Sequence, residues 1–488
     1  MRINSSDRKI SLIIKAINER IVPELKSDGA QATASIINDI LSDLIKRENG
    51  TPVLLRRIID EGLDLAGEVV SVLDAGVDFS FITSLSSDSL TDLIEQHDKL
   101  TEALAELAES LAESEVPMHR RQSLLRKIAQ WELSFYTQQA KLEYELPVCN
   151  DERGVPLTKD LCESFLRQSL SRTDLSVSEF NPIPGGFGKQ TYICSYSTSD
   201  VSNQELVIRK TDPTPIMKHG ACNLRNEFDL LTTLAEVDYL SPKPIQFCSD
   251  FEKVDGSFYT MDRLPGAPPG SYLGGMKGDV EEELFFELAA LLGRLHNLPL
   301  EMFSDYIHKY EDPLILSCTT EECYRYNLSR WFNYMKTEAH LQSPFLFWLL
   351  DWLNNNIPAD TRAPILIHGD FNIHNVLVDK GHVTAVLDWE CAGFGCPEQD
   401  LAYIKPHIEG HVDWDKFVRH YQDHGGKKIN PDAMSFGSVY ASLRTNLAGN
   451  RATYNLQAGL NQDIRYAMVE QGFTASFMGM ALEAAKPA

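Results

Sequence analysis

The chain has 488 residues, 43% of them hydrophobic, so it can bury large cores and is long enough for two to four domains. Its formal net charge of −25 disfavours a nucleic-acid partner, because phosphate binding needs a basic surface. Nine scattered cysteines without a Cys-x-x-Cys pair argue against a disulfide framework, and the lack of a stretch of roughly 20 apolar residues argues against membrane insertion, so we expect a cytoplasmic protein.

The first 148 residues predict an all-helical N-terminal domain without catalytic side chains. Isoleucines recur at helical spacing over residues 10–21, and amphipathic runs cover about 30–48 and 52–73. A heptad-like stripe follows, formed by Leu90, Leu93, Leu100, Leu104, Leu107 and Leu111. Such a short stripe indicates either a coiled-coil seam or one face of an antiparallel bundle, and we favour the bundle. These helices could also join two copies of the chain in a homodimer.

A glycine-rich turn follows the N-terminal helices. Prolines, glycines and polar residues break helical periodicity over about 145–158, and a helix is expected to begin near Thr158. The run 180–196 then places Gly185, Gly186 and Gly188 between two β-type segments. Glycine lets a backbone approach a phosphate closely with its N–H groups pointing at the anion, but such glycines also occur in ordinary hairpins.

Alternating strands and helices continue the second part of the chain. Residues 205–210 predict a strand that places Arg209 and Lys210 on opposite faces, and a helix opens at Leu224. A strand over 257–261 leads to a segment ending at Gly266, and helix 281–297 ends with His296, which we expect to be packed rather than a ligand. Residues 300–360 are rich in aromatics, most of them expected in the core, and 412–486 return to helices.

The catalytic candidates lie in residues 365–390, where apolar runs alternate with acidic loops. Asn375 comes five positions after Asp370, and Asp388 comes thirteen positions after Asn375. An isolated His-Gly-Asp would be equally compatible with a plain turn that has no catalytic role. Three polar residues on a strand-loop-strand-loop frame instead indicate phosphoryl transfer, with one Asp for the acceptor hydroxyl and an Asn and an Asp as oxygen ligands of Mg²⁺.

This stretch closely resembles the signature of the aminoglycoside phosphotransferase family, the small-molecule branch of the protein-kinase-like fold. The continuation Asp388-Trp-Glu390 is most similar to the branch with kinase domains fused to acyl-CoA dehydrogenases. The chain departs from the family at Gly395-Cys-Pro397, where Gly-Asp-Pro is usual, and we expect this change to affect packing more than chemistry.

The resemblance implies roles for residues outside the catalytic stretch. Asp370 would be the catalytic residue, and Asn375 and Asp388 the metal ligands. The remaining nucleotide-binding residues would be the loop glycines Gly185, Gly186 and Gly188, the phosphate-pairing Arg209 with its partner Glu227, and the hinge residues Met261 and Leu264. Arg209 stands where protein kinases have lysine, and Glu227 could alternatively be a surface residue. We expect Asp400 to brace the catalytic loop.

The predicted fold is α+β, a two-lobed protein-kinase-like fold preceded by an all-helical domain. We expect helical residues 1–148, an N-lobe over 149–263 and a helical C-lobe over 264–488. The predicted function is transfer of the γ-phosphoryl of ATP or GTP, with Mg²⁺, to a small-molecule hydroxyl. The acceptor could be a metabolite alcohol such as a hydroxyacyl-CoA, which we favour, or a cationic aminoglycoside or choline-like molecule; a third alternative is a catalytically weak nucleotide-binding scaffold.

Overall fold

The structure is a computed structural model. It describes residues 17–22, 25–47, 51–73, 90–139, 155–183, 188–212, 216–217, 223–252, 254–271, 275–276, 280–458, 460, 469 and 473–485.

The helices and strands are numbered here in chain order. The helices are α1 Asp28–Arg47, α2 Thr51–Leu73, α3 Leu90–Glu113, α4 Met118–Gln139, α5 Lys159–Ser169, α6 Leu224–Glu236, α7 Glu282–His296, α8 Ser304–Tyr310, α9 Thr320–Thr337, α10 Pro344–Asn355, α11 Pro397–Ile408, α12 Trp414–Asp423, α13 Asp432–Gln457 and α14 Thr474–Ala484. The strands are β1 Ser176–Ile183, β2 Lys189–Ser197, β3 Gln204–Thr211, β4 Pro244–Cys248, β5 Phe258–Asp262, β6 Gly270–Ser271, β7 Gly275–Met276, β8 Ile365–Ile367, β9 Val376–Asp379, β10 His382–Val386 and β11 Gly393–Gly395.

Backbone contacts divide the described residues between two compact units. The first unit takes its residues from 1–150, 335–356 and 442–488, and the second from 151–334 and 357–441. The predicted bounds 1–148, 149–263 and 264–488 stay a prediction. However, two segments that we expect in the C-lobe, 335–356 and 442–488, belong to the same compact unit as the N-terminal helices.

The first unit is helical throughout its described part. Helix α2 packs on α3, and α10 packs on both α3 and α4. The leucine stripe of α3 faces these neighbours, since Leu100, Leu104 and Leu111 are fully buried within the single chain. This burial agrees with the bundle alternative for the stripe. Among the helices that the structure describes, none is both long and apolar enough to cross a membrane.

A buried glutamate lies where α4 meets the start of α10. Glu132 is 2% exposed, and its carboxylate accepts a hydrogen bond of 2.6 Å from the Phe345 backbone N–H. That N–H belongs to the first turn of α10, where helix donors have no partner within the helix. Burial raises the pKa of Glu132 from 4.5 to about 7, against the opposing effect of the hydrogen bonds from Phe345 and Ser343.

The raised pKa of Glu132 predicts that stability of the first unit falls as pH rises. Between pH 4.5 and about 7 the folded chain keeps a proton on Glu132 that the unfolded chain has released. The contribution of Glu132 to the free energy of unfolding therefore decreases by about 3 kcal/mol across this window and is constant above it. Glutamine cannot ionise, so the free energy of unfolding of Glu132→Gln should lack this decrease. Measured by denaturant unfolding, the variant's free energy of unfolding relative to wild type should rise by about 3 kcal/mol from pH 4.5 to pH 8. An equal difference between the two proteins at both pH values would contradict this assignment.

The second unit begins with α5, whose N-cap Thr158 accepts from the Leu161 N–H at 3.3 Å. An antiparallel five-stranded sheet follows, in the order β1-β2-β3-β5-β4. Alternation along β3 sends Lys210 to the α5 side, where it is fully buried and pairs with Asp255 at 2.9 Å. Arg209 therefore faces the opposite side of the sheet, toward α6.

A mainly helical part completes the second unit around the long buried helix α7. Two small antiparallel ladders, β8 with β11 and β9 with β10, support the loops that follow β8 and β10. The large buried side chains of this part include Phe285, Phe303, Phe371 and Trp389. The five-stranded sheet and the surrounding helices confirm the predicted α+β fold class.

Candidate active site

The loop after β8 carries Asp370 and Asn375. The Asn375 side-chain amide donates to the Asp370 backbone carbonyl at 2.9 Å and to the Asp370 carboxylate at 2.8 Å. Because an amide nitrogen has two hydrogens, these bonds use both of them, and Oδ1 is the Asn375 atom suited to binding a cation. The Asp370 side chain is 21% exposed, so its carboxylate is accessible to a small molecule.

A buried aspartate on α11 holds the start of this loop. The Asp400 carboxylate accepts from the backbone N–H groups of His368 and Gly369 at 2.7 and 2.8 Å, and lies 3.1 Å from Nε2 of His296. Burial opposes ionisation of Asp400, but the His296 hydrogen bond, with those from the backbone, lowers the pKa of its carboxyl. Gly369 has φ +78°, and an added Cβ would lie 2.2 Å from the Cys391 carbonyl oxygen. Only glycine therefore fits at this position.

The loop after β8 is tied to the loop after β10 through Leu387. The imidazole Nε2 of His368 donates to the Leu387 carbonyl at 2.9 Å, and Nδ1 accepts from the Asp370 N–H at 3.2 Å. These partners require a neutral ring with its proton on Nε2. The Leu387 N–H in turn donates to the Asn375 carbonyl at 2.7 Å. Both backbone groups of Leu387 are thus fixed by the loop after β8, and these bonds set the position of the next residue, Asp388.

Asp388 has a left-handed backbone, with φ 65° and ψ 58°. Aspartate adopts this conformation more readily than most non-glycine residues, and strained residues of this kind cluster at functional sites. Its side chain is 29% exposed and pairs with Arg209 through Nη2 and Oδ1 at 2.5 Å. The neighbouring Trp389 is buried and its indole donates to the Val386 carbonyl at 2.9 Å, which fixes the turn.

Arg209 connects the sheet to this loop and to α6. Its Nε lies 2.9 Å from a carboxylate oxygen of Glu227, which is 4% exposed and also accepts from the Tyr259 hydroxyl at 3.2 Å. Burial disfavours the charge of Arg209, yet the carboxylates of Glu227 and Asp388 hold its pKa well above its usual value. The expected contact of Arg209 with Glu227 is therefore present; the role of the pair in nucleotide binding stays a prediction.

Two further charged residues complete this network and were not among the predicted site residues. Nζ of Lys189 lies 3.1 Å from Oε2 of Glu390, and Nη2 of Arg209 lies 3.8 Å from the same oxygen. Strand pairing could have pointed to Lys189, since it starts the strand beside Arg209. Glu390 follows Asp388 by two residues, but nothing in the sequence predicts its contact with a lysine 201 positions earlier.

The remaining predicted nucleotide residues are placed as follows. Gly188 lies next to Glu390, since an added Cβ would be 3.7 Å from the carboxylate, whereas Gly185 and Gly186 lie outside the described residues. Met261 is buried within the sheet, paired with Val207 and Pro244. Leu264 follows the end of β5, and its carbonyl accepts from the Arg263 guanidinium at 3.3 Å.

The departure at Cys396 is accommodated by packing. Cys396 is fully buried, and both its N–H and its Sγ contact the Tyr324 hydroxyl, at 3.0 and 3.1 Å. Its side chain makes no capping hydrogen bond to α11, a contact that aspartate could supply. The substitution thus changes the start of α11 and leaves Asp370, Asn375 and Asp388 in place.

The donor set fits a magnesium ion that is carried by phosphates. Within the described ranges, no group of three or more histidine, cysteine or carboxylate side chains is arranged to hold a metal by itself. Asn375 offers a carbonyl oxygen and Asp388 a partly exposed carboxylate. Mg²⁺ prefers such oxygen ligands, takes one or two from the protein, and fills its remaining positions with phosphate oxygens and water.

A family model described as the phosphotransferase enzyme family matches residues 179–436, which is more than half of the chain. The chain belongs to this family. The resemblance noted in the sequence is thereby confirmed at the level of the family. All the site residues described above lie within the matched range.

The curated relatives match this chain over only part of their own length. The chain is 26% identical over 251 residues to acyl-CoA dehydrogenase family member 11 of Mus musculus, which covers 50% of this chain and 30% of the relative. It is 49% identical over 39 residues to hygromycin-B 4-O-kinase of Escherichia coli, 8% of this chain and 11% of that protein. The structure of macrolide 2′-phosphotransferase MphH from Brachybacterium faecium matches with a TM-score of 0.43 and 17% identity, over 64% of this chain and 97% of MphH.

Proposed function

We propose that this phosphotransferase moves the γ-phosphoryl of ATP or GTP to a hydroxyl group of a small metabolite. The observation that carries the proposal is the double hydrogen bond from Asn375 to Asp370, joined through Leu387 to Asp388. In this proposal, the arrangement supplies one carboxylate for the acceptor and two oxygen ligands for a nucleotide-bound metal, within one short stretch of chain.

Asp370 acts on the acceptor. Its carboxylate orients the hydroxyl and takes its proton as the hydroxyl oxygen attacks the γ-phosphorus and the bond to the β–γ bridging oxygen breaks, releasing the nucleoside diphosphate. Asn375 and Asp388 would hold Mg²⁺, which would supply positive charge to the phosphate oxygens. Arg209, held by Glu227, pairs with the α- and β-phosphates through its planar fork of donors. The protein supplies mainly position and charge.

For the acceptor we propose a metabolite alcohol such as a hydroxyacyl-CoA. The support is the similarity to acyl-CoA dehydrogenase family member 11, although the chain spans only 30% of that relative. A cationic acceptor, either an aminoglycoside or a choline-like molecule, is the alternative. It is favoured by the net charge of −25 and by the short match to hygromycin-B 4-O-kinase. A non-catalytic nucleotide-binding scaffold is disfavoured because Asp370, Asn375 and Asp388 are all present.

Two further features belong to the proposal. We place the protein in the cytoplasm, in keeping with free thiols at the cysteines of the described residues. The described helices of the first unit bring no residue to the phosphotransfer network and are proposed to support assembly, including a homodimer.

An acceptor panel tests the function directly. The full chain is incubated with Mg·ATP or Mg·GTP and with alcohols that include hydroxyacyl-CoAs, aminoglycosides and choline, and each mixture is read by mass spectrometry. A mass gain of one phosphoryl group in one compound identifies both the reaction and the substrate class. Nucleotide binding without a mass gain in any acceptor would favour the nucleotide-binding scaffold. If a phosphorylated aminoglycoside were the only product, the proposal of a metabolite alcohol as acceptor would be overturned.

A further inference from the structure

Lys189 and Arg209 lie on the same face of the five-stranded sheet. In the ladder between β2 and β3, Lys189 is opposite Thr211 and Thr191 is opposite Arg209. Directly paired residues of an antiparallel ladder, and residues two apart in one strand, point to the same side. The two cations are therefore diagonal neighbours, and both point toward the loop that carries Asp388 and Glu390.

The carboxylate of Glu390 is shared between these cations. Its Oε2 lies 3.1 Å from Nζ of Lys189 and 3.8 Å from Nη2 of Arg209. The Lys189 side chain is only 6% exposed, so a buried ammonium needs a counter-charge, and Glu390 supplies it. The Glu390 side chain is itself 25% exposed, which leaves this ion pair open to a small anion from one side.

Distances along β3 indicate where each cation lies relative to a bound nucleotide. Leu206 pairs with Asp262 at the end of β5, beside the predicted hinge. At about 3.4 Å per residue, Arg209 lies roughly 10 Å along the strand from this level, and the Lys189–Thr211 pair roughly 17 Å. A nucleotide whose base sits at the hinge therefore passes Arg209 before it reaches Lys189.

We propose that Lys189 is a second phosphate-binding cation, specific for the terminal phosphate, and that Glu390 holds its ammonium in place until the nucleotide arrives. This inference rests on the proposed function. On binding, a terminal phosphate oxygen replaces Glu390 as the partner of Lys189, while Arg209 keeps Glu227 and pairs with the inner phosphates. Lys189 is thus the residue that distinguishes a nucleoside triphosphate from a diphosphate.

Nucleotide titrations of the full chain test this assignment. Isothermal titration calorimetry in Mg²⁺ compares β,γ-imido-ATP with ADP for wild type and Lys189→Met. We expect the variant to bind the triphosphate analogue about 10- to 100-fold more weakly, because a charge-assisted hydrogen bond is lost, and to bind ADP within about 3-fold of wild type. Lys189→Arg should restore most of the analogue affinity. Lys159→Met removes an exposed lysine on α5 and should change neither affinity.

The ratio of the two affinities decides the outcome even if part of a variant sample is unfolded, because both ligands report on the same folded fraction. An unchanged ratio in Lys189→Met overturns the role of Lys189 while leaving the kinase proposal intact. Wild type that binds neither nucleotide overturns both.

Glu390→Gln tests the holding role separately. Loss of its charge should lower the melting temperature of the nucleotide-free chain, because Lys189 loses its counter-charge, and should tighten analogue binding, because no carboxylate competes with the phosphate. Weaker analogue binding would show that Glu390 contacts the metal or nucleotide itself and would overturn this part of the proposal.

Discussion

Asp370→Asn is expected to phosphorylate the acceptor at least about 10²-fold more slowly than wild type while binding Mg·ATP within about 3-fold. In the proposed mechanism the carboxylate contacts the acceptor hydroxyl and not the metal, so its loss should raise the barrier of the chemical step and spare the ground-state nucleotide complex. Asparagine keeps an oxygen that can accept the 2.8 Å hydrogen bond from Asn375, so the loop geometry is retained.

Turnover of the acceptor identified by the panel and calorimetric Mg·ATP binding are measured on the same preparations. Asp379→Asn is the matched control, since it removes an acid from the end of β9 that takes no part in the network. The control should keep wild-type turnover. If Asp370→Asn also kept it while Asn375→Ala and Asp388→Ala abolished it, Asp370 would not be catalytic and the acceptor would be activated by other means.

Local patterns in the sequence predict several structural features of the second unit. Strand alternation assigned Arg209 and Lys210 to opposite faces, and the structure gives each a different acidic partner, Glu227 and Asp255. The helix expected near Thr158 begins at Lys159 with Thr158 as its cap. His296 is packed, as expected, between Tyr421 and Asp400. Each of these features is encoded within a few neighbouring residues.

The make-up of the first unit is not encoded locally. The aromatic-rich helix α10 was expected in the C-lobe, yet Phe345 and Trp348 are buried in a segment that groups with the N-terminal helices. Helical periodicity predicts that a face is buried but does not name the element that covers it. A chain starting near Asp151 would therefore leave α10 and α14 without α4, on which both pack, so the N-terminal helices cannot be removed as an independent piece.

The ion-pair network shows a similar limit. Lys189, Arg209, Glu227, Asp388 and Glu390 come from four separate elements, and only the fold brings their charges together. Motif spacing predicted Asp388 but not Glu390 in the same loop, because the contact of Glu390 with Lys189 joins distant parts of the chain and needs the three-dimensional structure. The same network sets the expected behaviour of Asp388.

Asp388→Asn is expected to lose most of the rise in melting temperature that Mg·ATP produces in wild type. A ligand at 100 times its Kd stabilises a folded protein by about 2.7 kcal/mol, and losing the metal carboxylate removes most of this. The nucleotide-free variant should stay folded, because Arg209 keeps its 2.9 Å contact with Glu227. Asparagine also tolerates the left-handed backbone at φ 65°, whereas alanine adds a strain of about 1–2 kcal/mol.

The comparison of Asp388→Asn with Asp388→Ala separates metal binding from backbone strain. Both should lose the Mg²⁺-dependent shift, but only Asp388→Ala should also melt at a lower temperature without nucleotide. Thermal melts are recorded with Mg·ATP, with ATP and EDTA, and without ligand. If the Asp388 carboxylate acts through the metal, as proposed, wild type in EDTA should behave like Asp388→Asn in Mg²⁺. If Mg·ATP raised the melting temperature of Asp388→Asn as much as that of wild type, Asp388 would not be a metal ligand. Asn375 would then have to hold Mg²⁺ with a group other than Asp388.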